Sequence, residues 1–199
     1  MTNQVNLQGV DWSKIPAPVD DGAMAHLAGQ RLPAVALAAT DGSLVTLSDI
    51  AGRVVVYGYP MTGQPGTALP DGWDQVPGAR GCTPQSCAFR DHHAELIAAG
   101  AVATFGISTQ DSAYQREAAE RLHLPFPVLS DEGLAFATAA GLPTMEVDGK
   151  TLLKRFALVV DDGVVTQVFY PVFPPDRNAG DVLAWLIANP RGIKSGAAA

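Results

Sequence analysis

The chain has 199 residues, 47% of them hydrophobic, and a formal net charge of −7. This length and apolar content suit one domain with a sizeable core and room for an extra arm. The acidic balance argues against a nucleic-acid or anionic-membrane partner, no apolar run approaches the ~20 residues that span a bilayer, and residues 1–7 lack a basic segment followed by an apolar stretch, so a cytoplasmic protein without a secretory signal is predicted.

Residues 1–30 carry no sustained periodicity, and Pro16, Pro18, Asp20, Asp21 and Gly22 cluster within them. They read as an arm that packs on the domain or on a partner subunit, or as a loose tail. Residues 35–38, the Asp41-Gly42 turn and residues 44–47 predict a β-hairpin. Residues 53–60 contain a β-branched run of the kind found in buried strands. Residues 61–81 are rich in Gly and Pro and have no regular period; a loop this long is often functional. A helix follows, with Pro84 suited to a first helical position and Phe89, Leu96 and Ile97 supplying its apolar residues. Residues 102–107 predict a second buried strand. Ser112 and Gln115 have the spacing of a capping box for a helix reaching about Leu122. Residues 126–129 predict a short strand, and residues 132–140 a short helix closed by Gly141. Residues 155–160 and 164–169 flank an Asp161-Asp162-Gly163 turn and read as a hairpin. Val182, Leu183, Leu186 and Ile187 form the stripe of a last helix, and the tail at 191–199 reads as disordered. The main domain is therefore placed at 31–190.

Helices alternating with buried strands argue for an α/β domain with a mixed sheet flanked by helices. A thioredoxin-like sheet with an N-terminal β-hairpin fits this order. Its central strand would deliver the helix that follows the long loop to the carboxyl end of the sheet, where α/β folds place their active sites.

Both cysteines, Cys82 and Cys87, lie at that loop-to-helix junction. Two cysteines are too few for a disulfide scaffold, and a close pair in a cytosolic protein is more often redox-active or metal-binding. A thiol at a helix start meets unpaired N–H groups and the positive end of the helix dipole, both of which favour thiolate. Cys82 is thus the predicted nucleophile and Cys87 its partner. His92 and His93 follow closely, but Cys-x4-Cys is a poor zinc spacing, and polar residues on a helix face are the simpler reading. No metal or other cofactor is predicted.

Tyr59-Pro60, Gly81-Cys82-Thr83 with Cys87 and Phe89-Arg90-Asp91, Gly106-Ile-Ser-Thr109, Pro127-Val-Leu-Ser-Asp131, and Arg155-Phe-Ala-Leu-Val-Val160 leading to Asp162-Gly163 together resemble the peroxiredoxins, closest to the bacterioferritin-comigratory, or Q-type, branch. The resemblance covers roughly residues 31–190. It implies a thioredoxin-like fold and thiol-dependent reduction of hydroperoxides. Cys82 would be the peroxidatic cysteine, Cys87 the resolving cysteine, and Arg155 the arginine facing the thiolate. It also implies a dithiol reductant such as thioredoxin and a monomer or homodimer. The family's usual threonine three residues before the peroxidatic cysteine is replaced by Ala79, and the link from Pro60 to Cys82 is longer than usual. Thr62 is therefore expected to fold back and supply the hydroxyl. Pro60 and Thr83 are expected to border the peroxide, and Trp73 either walls the pocket or anchors the loop.

Two other activities fit the same fold. One is a general disulfide oxidoreductase, which usually carries the Cys-x-x-Cys absent here. The other is a binding protein without turnover, motivated by the missing threonine. Spacing adds a mechanical demand. Five residues of regular helix rise about 7.5 Å, whereas a disulfide needs Cα atoms within roughly 7 Å and facing Cβ vectors. A Cys82–Cys87 bridge therefore requires the first helical turns to unwind.

Overall fold

The computed structural model describes residues 10–191; the reading of residues 1–7, and of the tail beyond residue 191, falls outside them. Nine strands lie within this range. Seven form one sheet: β1 (Ala36–Ala39), β2 (Leu44–Thr46), β3 (Arg53–Gly58), β4 (Ala101–Ser108), β5 (Val128–Ser130), β8 (Phe156–Asp161) and β9 (Val164–Phe169). Their order is β2-β1-β5-β4-β3-β8-β9. β3, β4 and β5 run parallel, and the outer pairings are antiparallel. A separate hairpin joins β6 (Thr144–Val147) and β7 (Lys150–Leu153). The helices are α1 (Cys82–Asp91), α2 (His93–Ala98), α3 (Ser112–Arg121), α4 (Ala135–Ala140) and α5 (Asn178–Ala188). The mixed sheet is the α/β arrangement expected from the alternation of elements.

The inner strands β3, β5 and β8 are buried on both faces, and strand alternation sorts the core in two. Val54 and Val56 of β3 and Phe156, Leu158 and Val160 of β8 join Leu37, Phe105, Ile107 and Leu129 beneath α4. The alternate residues Val55, Tyr57, Ala157 and Val159 meet Cys82 and Phe89 of α1, Leu96 of α2, and Val182 and Leu186 of α5. Arg155 has the parity of Ala157 and Val159, so alternation aims it at the face that carries α1. Gly58 sets the start of β8. It pairs with Phe156, and a Cβ at Gly58 would lie 2.2 Å from the Phe156 ring. Only glycine lets that ring lie across the strand, and Phe156 is the residue next to Arg155.

Several elements depart from the sequence reading, each for a local reason. The capping box at Ser112 is not formed. Asp111 caps α3 by accepting from the Tyr114 N–H at 2.7 Å, while the Gln115 side chain turns inward and donates to Ser108 Oγ and the Leu129 carbonyl. The strand placed at 126–129 begins at Val128, because Pro125 and Pro127 have no N–H to give a ladder. The helix placed at 132–140 starts only at Ala135, where buried Asp131 accepts from the N–H groups of Phe136 and Ala137 at 2.9 and 2.7 Å. The helix after the long loop breaks at His92, where the backbone reaches ψ 2°, and Ile97 is left partly exposed. Pro84 is the third residue of α1, not the first, still within the turn whose N–H groups lack helical partners. The β6–β7 hairpin has no counterpart in the reading, although Asp148-Gly149 supplies both positive φ values of its turn.

The segment preceding β1 lies on the domain. Met24 and Leu27 are buried in the first core cluster, and Asp21 accepts from Lys154 Nζ at 2.7 Å and from the Tyr170 hydroxyl at 2.8 Å. These contacts hold the Asp21 carboxyl at about 2, below its usual range.

Gly58→Ala tests the packing that sets Arg155. Forcing a methyl against a buried ring should cost about 1–3 kcal/mol in denaturant unfolding. Unchanged stability would show that Phe156 does not depend on Gly58.

Candidate active site

β3 ends at Gly58, and Tyr59 extends it by donating its N–H to the Ile107 carbonyl. The chain then makes its long excursion and returns at Gly81, which has φ 107° and caps the start of α1. Cys82 is the first residue of that helix. Its side chain is only 5% exposed, and Sγ lies 3.6 Å from the Ala79 carbonyl oxygen. The stacked rings of Tyr57 and Phe89, 4.3 Å apart and nearly parallel, support α1 from below. Tyr57 also donates its hydroxyl to Ser86 Oγ at 3.2 Å. Burial keeps the phenols of Tyr57 and Tyr59 neutral by pushing their titration well upward.

Arg155, 2% exposed, meets this helix start from β8. Its Nη2 lies 3.3 Å from Cys82 Sγ and donates to the carbonyls of Gly78, Ala79 and Arg80 at 3.2, 3.1 and 3.2 Å. Its Nη1 donates to Gln85 Oε1 at 2.5 Å, and Gln85 Nε2 donates to Asn178 Oδ1 at 2.9 Å. No carboxylate among the described residues contacts this guanidinium. The cation is therefore held by neutral acceptors and faces the sulfur with its charge uncompensated. A cleft of about 100 Å3 opens beside Arg155, walled by Pro18, Pro77, Met145 and Tyr170.

Cys87 lies one turn and a half along α1, half-buried, and both cysteines are free thiols. A separation of five residues turns the two side chains by roughly 140° around the helix axis. Burial pushes the Cys87 thiol upward, so it stays protonated to higher pH than an exposed cysteine.

The remaining predicted residues divide. Pro60 is buried where β3 ends, and Thr83 sits half-buried in the first turn beside Cys82. Thr62 is not brought to the sulfur. Its hydroxyl donates to Gln110 Oε1 at 3.3 Å, its backbone N–H donates to the same oxygen at 3.0 Å, and its carbonyl accepts from the Tyr114 hydroxyl. The hydroxyl expected to replace the missing threonine is thus committed to Gln110 in this structure, and the hydrogen bonds of Cys82 Sγ run to Ala79 and Arg155. Trp73 is 5% exposed and packs with Met61, Ala79, Val147 and Leu152. It anchors the loop to the β6–β7 hairpin and supports Ala79 from behind. Arg90 pairs with Asp91 and also donates to the Leu122 carbonyl, tying α1 to the end of α3. Gln85 and Asn178 were missed. Gln85 carried a signal, since a residue three positions after Cys82 shares its helix face. Asn178, distant in sequence, carried none.

A buried thiol at a helix start, opposite an arginine without a carboxylate and on a thioredoxin-like sheet, defines a redox-active thiol protein. The comparisons agree on which kind. The Redoxin family model matches residues 27–183. The chain is 38% identical over 157 residues to the chloroplastic peroxiredoxin Q of Oryza sativa subsp. japonica, covering 78% of this chain and 64% of that protein. It is 36% identical over 160 residues to the chloroplastic peroxiredoxin Q of Sedum lineare, covering 79% and 76%. Among solved structures it resembles peroxidoxin BcpB from Mycobacterium tuberculosis, with TM-score 0.65, 30% identity, and 81% of this chain and 97% of that chain covered. The chain belongs to the redoxin family and, within it, to the Q-type peroxiredoxins.

Thr62→Val tests which group the Thr62 hydroxyl serves. Gln110 Oε1 keeps the Thr62 N–H after the change, so the loss should be about 1 kcal/mol or less in stability. The rate of Cys82 oxidation by peroxide should stay at the wild-type value, whereas a tenfold fall would return Thr62 to the site.

Proposed function

We propose that this protein is a thiol-dependent peroxidase that reduces hydrogen peroxide or organic hydroperoxides. The observation that carries the reading is the Arg155 guanidinium 3.3 Å from Cys82 Sγ, both groups buried and the arginine without a carboxylate partner among the described residues. A thiolate at that position is the counter-charge the arginine lacks, and the first-turn N–H groups of α1 add to it.

In the first step the Cys82 thiolate attacks one peroxide oxygen and the O–O bond breaks. The sulfur is oxidised to a sulfenic acid, and the other oxygen leaves as an alcohol or water after taking a proton. Charge builds on the leaving oxygen as it departs. Arg155 and the free N–H groups of the first turn are the donors placed to receive it, in the absence of a threonine at position 79. In the second step the Cys87 sulfur attacks the Cys82 sulfenic sulfur. Water leaves, and an intramolecular disulfide forms. The first turns of α1 open for this step, since the two side chains leave the regular helix on different faces. A dithiol such as thioredoxin then returns both cysteines to thiols by exchange. Closure within one chain needs no second subunit.

Peroxide consumption in the presence of a dithiol reductant is the direct assay. Cys82→Ser should abolish it. Cys87→Ser should still consume one equivalent of peroxide and leave a sulfenic acid that a 1,3-diketone traps. Single turnover that survives Cys82→Ser and is lost in Cys87→Ser would reverse the two roles.

The pH dependence separates the steps. Burial raises the Cys87 titration, so at neutral pH this thiol is mostly protonated and less nucleophilic. Raising the pH above the ordinary cysteine range of about 8.5 deprotonates it. The rate of disulfide closure, followed after rapid mixing with peroxide, should therefore climb with pH through that range. A closure rate that is flat with pH would mean that helix opening, and not thiol ionisation, limits the step.

A further inference from the structure

The N-terminal arm crosses the outside of the segment that leads into Cys82. A Cβ built on Gly78 would lie 3.5 Å from the Cβ of Pro18, and one built on Gly81 would lie 2.9 Å from Trp12 Cη2 and 2.4 Å from Pro175 Cγ. The indole is itself fixed. Its Nε1–H donates to Asp176 Oδ2 at 2.9 Å, and its ring meets Phe173 nearly edge-on, at 77° with centroids 6.0 Å apart. From the other side, Arg155 Nη2 holds the carbonyls of residues 78, 79 and 80. Residues 78–81 are thus gripped between the arm outside and the arginine inside. Gly81 can take its positive φ and accept both contacts because it has no Cβ.

We propose that Trp12 is a positioning residue of the active site. Together with Pro175 it covers the face of Gly81 that a Cβ would occupy, and so holds the first turn of α1 in the place that keeps Cys82 against Arg155. The contact stands on geometry alone; its part in turnover rests on the peroxidase reading. Disulfide closure requires the first turn to open, and opening moves Gly81 out from under Trp12. The clamp therefore opposes closure and prolongs the Cys82 sulfenic acid before Cys87 reaches it. It acts through Gly81 and touches neither peroxide nor sulfur.

The test is Trp12→Ala in the full chain, read two ways. In the reduced protein, amide hydrogen exchange of residues 82–88 should accelerate about three- to tenfold while exchange in β3, β4 and β8 stays unchanged. After one equivalent of peroxide, the sulfenic acid lifetime should shorten by a similar factor. Trp12→Phe leaves an aromatic ring on the arm but lacks both the Cη2 carbon over Gly81 and the Nε1–H to Asp176, so it should recover only a small part of the protection. Should Trp12→Ala fail to fold, Asp176→Ala removes the indole's acceptor without touching the arm, and a smaller change in the same direction is expected. Unchanged exchange at 82–88 overturns the proposal, as does acceleration spread evenly through the sheet, which would mark Trp12 as general packing. A wild-type protein that forms no sulfenic acid with peroxide refutes the peroxidase reading instead, and the exchange result still decides the clamp.

Discussion

The structure is organised around a buried guanidinium that has no carboxylate partner among the described residues. Removing a cation from water costs several kcal/mol, and proteins normally offset this with an acidic partner and further hydrogen bonds. Arg155 has the hydrogen bonds without the acid: three carbonyls before Cys82, the amide of Gln85, and the sulfur. Those carbonyls are available because Gly78 to Gly81 curl around the arginine tip before α1 begins. Gln85 is aimed by Asn178 at the start of α5, so that helix, distant in sequence, also serves the site. Gly58 and Phe156 fix the root of the arginine in the sheet. The long loop, through Trp73 and Ala79, supports the curl from behind.

On the proposed peroxidase chemistry, the same helix start carries two opposed demands. Attack on peroxide would need α1 folded, with Cys82 buried against Arg155. Resolution would need it open, because Cys87 leaves the helix on a different face. The first turn is suited to yielding. Its N–H groups have no partners within the helix, so it is held mainly by the contacts of Gly81 with Trp12 and Pro175 and by the grip of Arg155 on the carbonyls before it. The base of α1 is firm, with Phe89 stacked on Tyr57 and Arg90 tied to α3. Opening can thus be confined to the first turns of α1, which carry both cysteines, while Phe89 and Arg90 hold the rest of the helix.

Much of this was legible in the sequence. The β-branched run at Val54–Tyr57, the turns at Asp41-Gly42 and Asp162-Gly163, and the loop-to-helix junction at Cys82 are local signals, and each specifies its element with little help from the rest of the fold. Arg155 was legible from the resemblance and from its place just before a buried strand. What escaped was decided at a distance. Asp111 displaced Ser112 as a cap because Gln115 was needed inside the protein to satisfy Ser108 and Leu129. Thr62 follows Pro60 closely in the chain, yet Gln110, 48 residues later, captures its backbone and its hydroxyl. Asn178 and Trp12 acquire their roles only when the ends of the chain meet α1, and no periodicity announces that meeting. The β6–β7 hairpin is a different case: its Asp148-Gly149 turn was in plain view, and short flanking runs concealed the strands.

The central claim is that the charge of Arg155 makes Cys82 reactive. Stopped-flow oxidation of Cys82 by hydrogen peroxide in Arg155→Met measures this most directly, with circular dichroism to verify the fold. Losing one hydrogen bond to a charged group costs about 1.5–3 kcal/mol, so the second-order rate should fall roughly ten- to a hundredfold. A folded Arg155→Met protein that reacts at the wild-type rate would contradict the account.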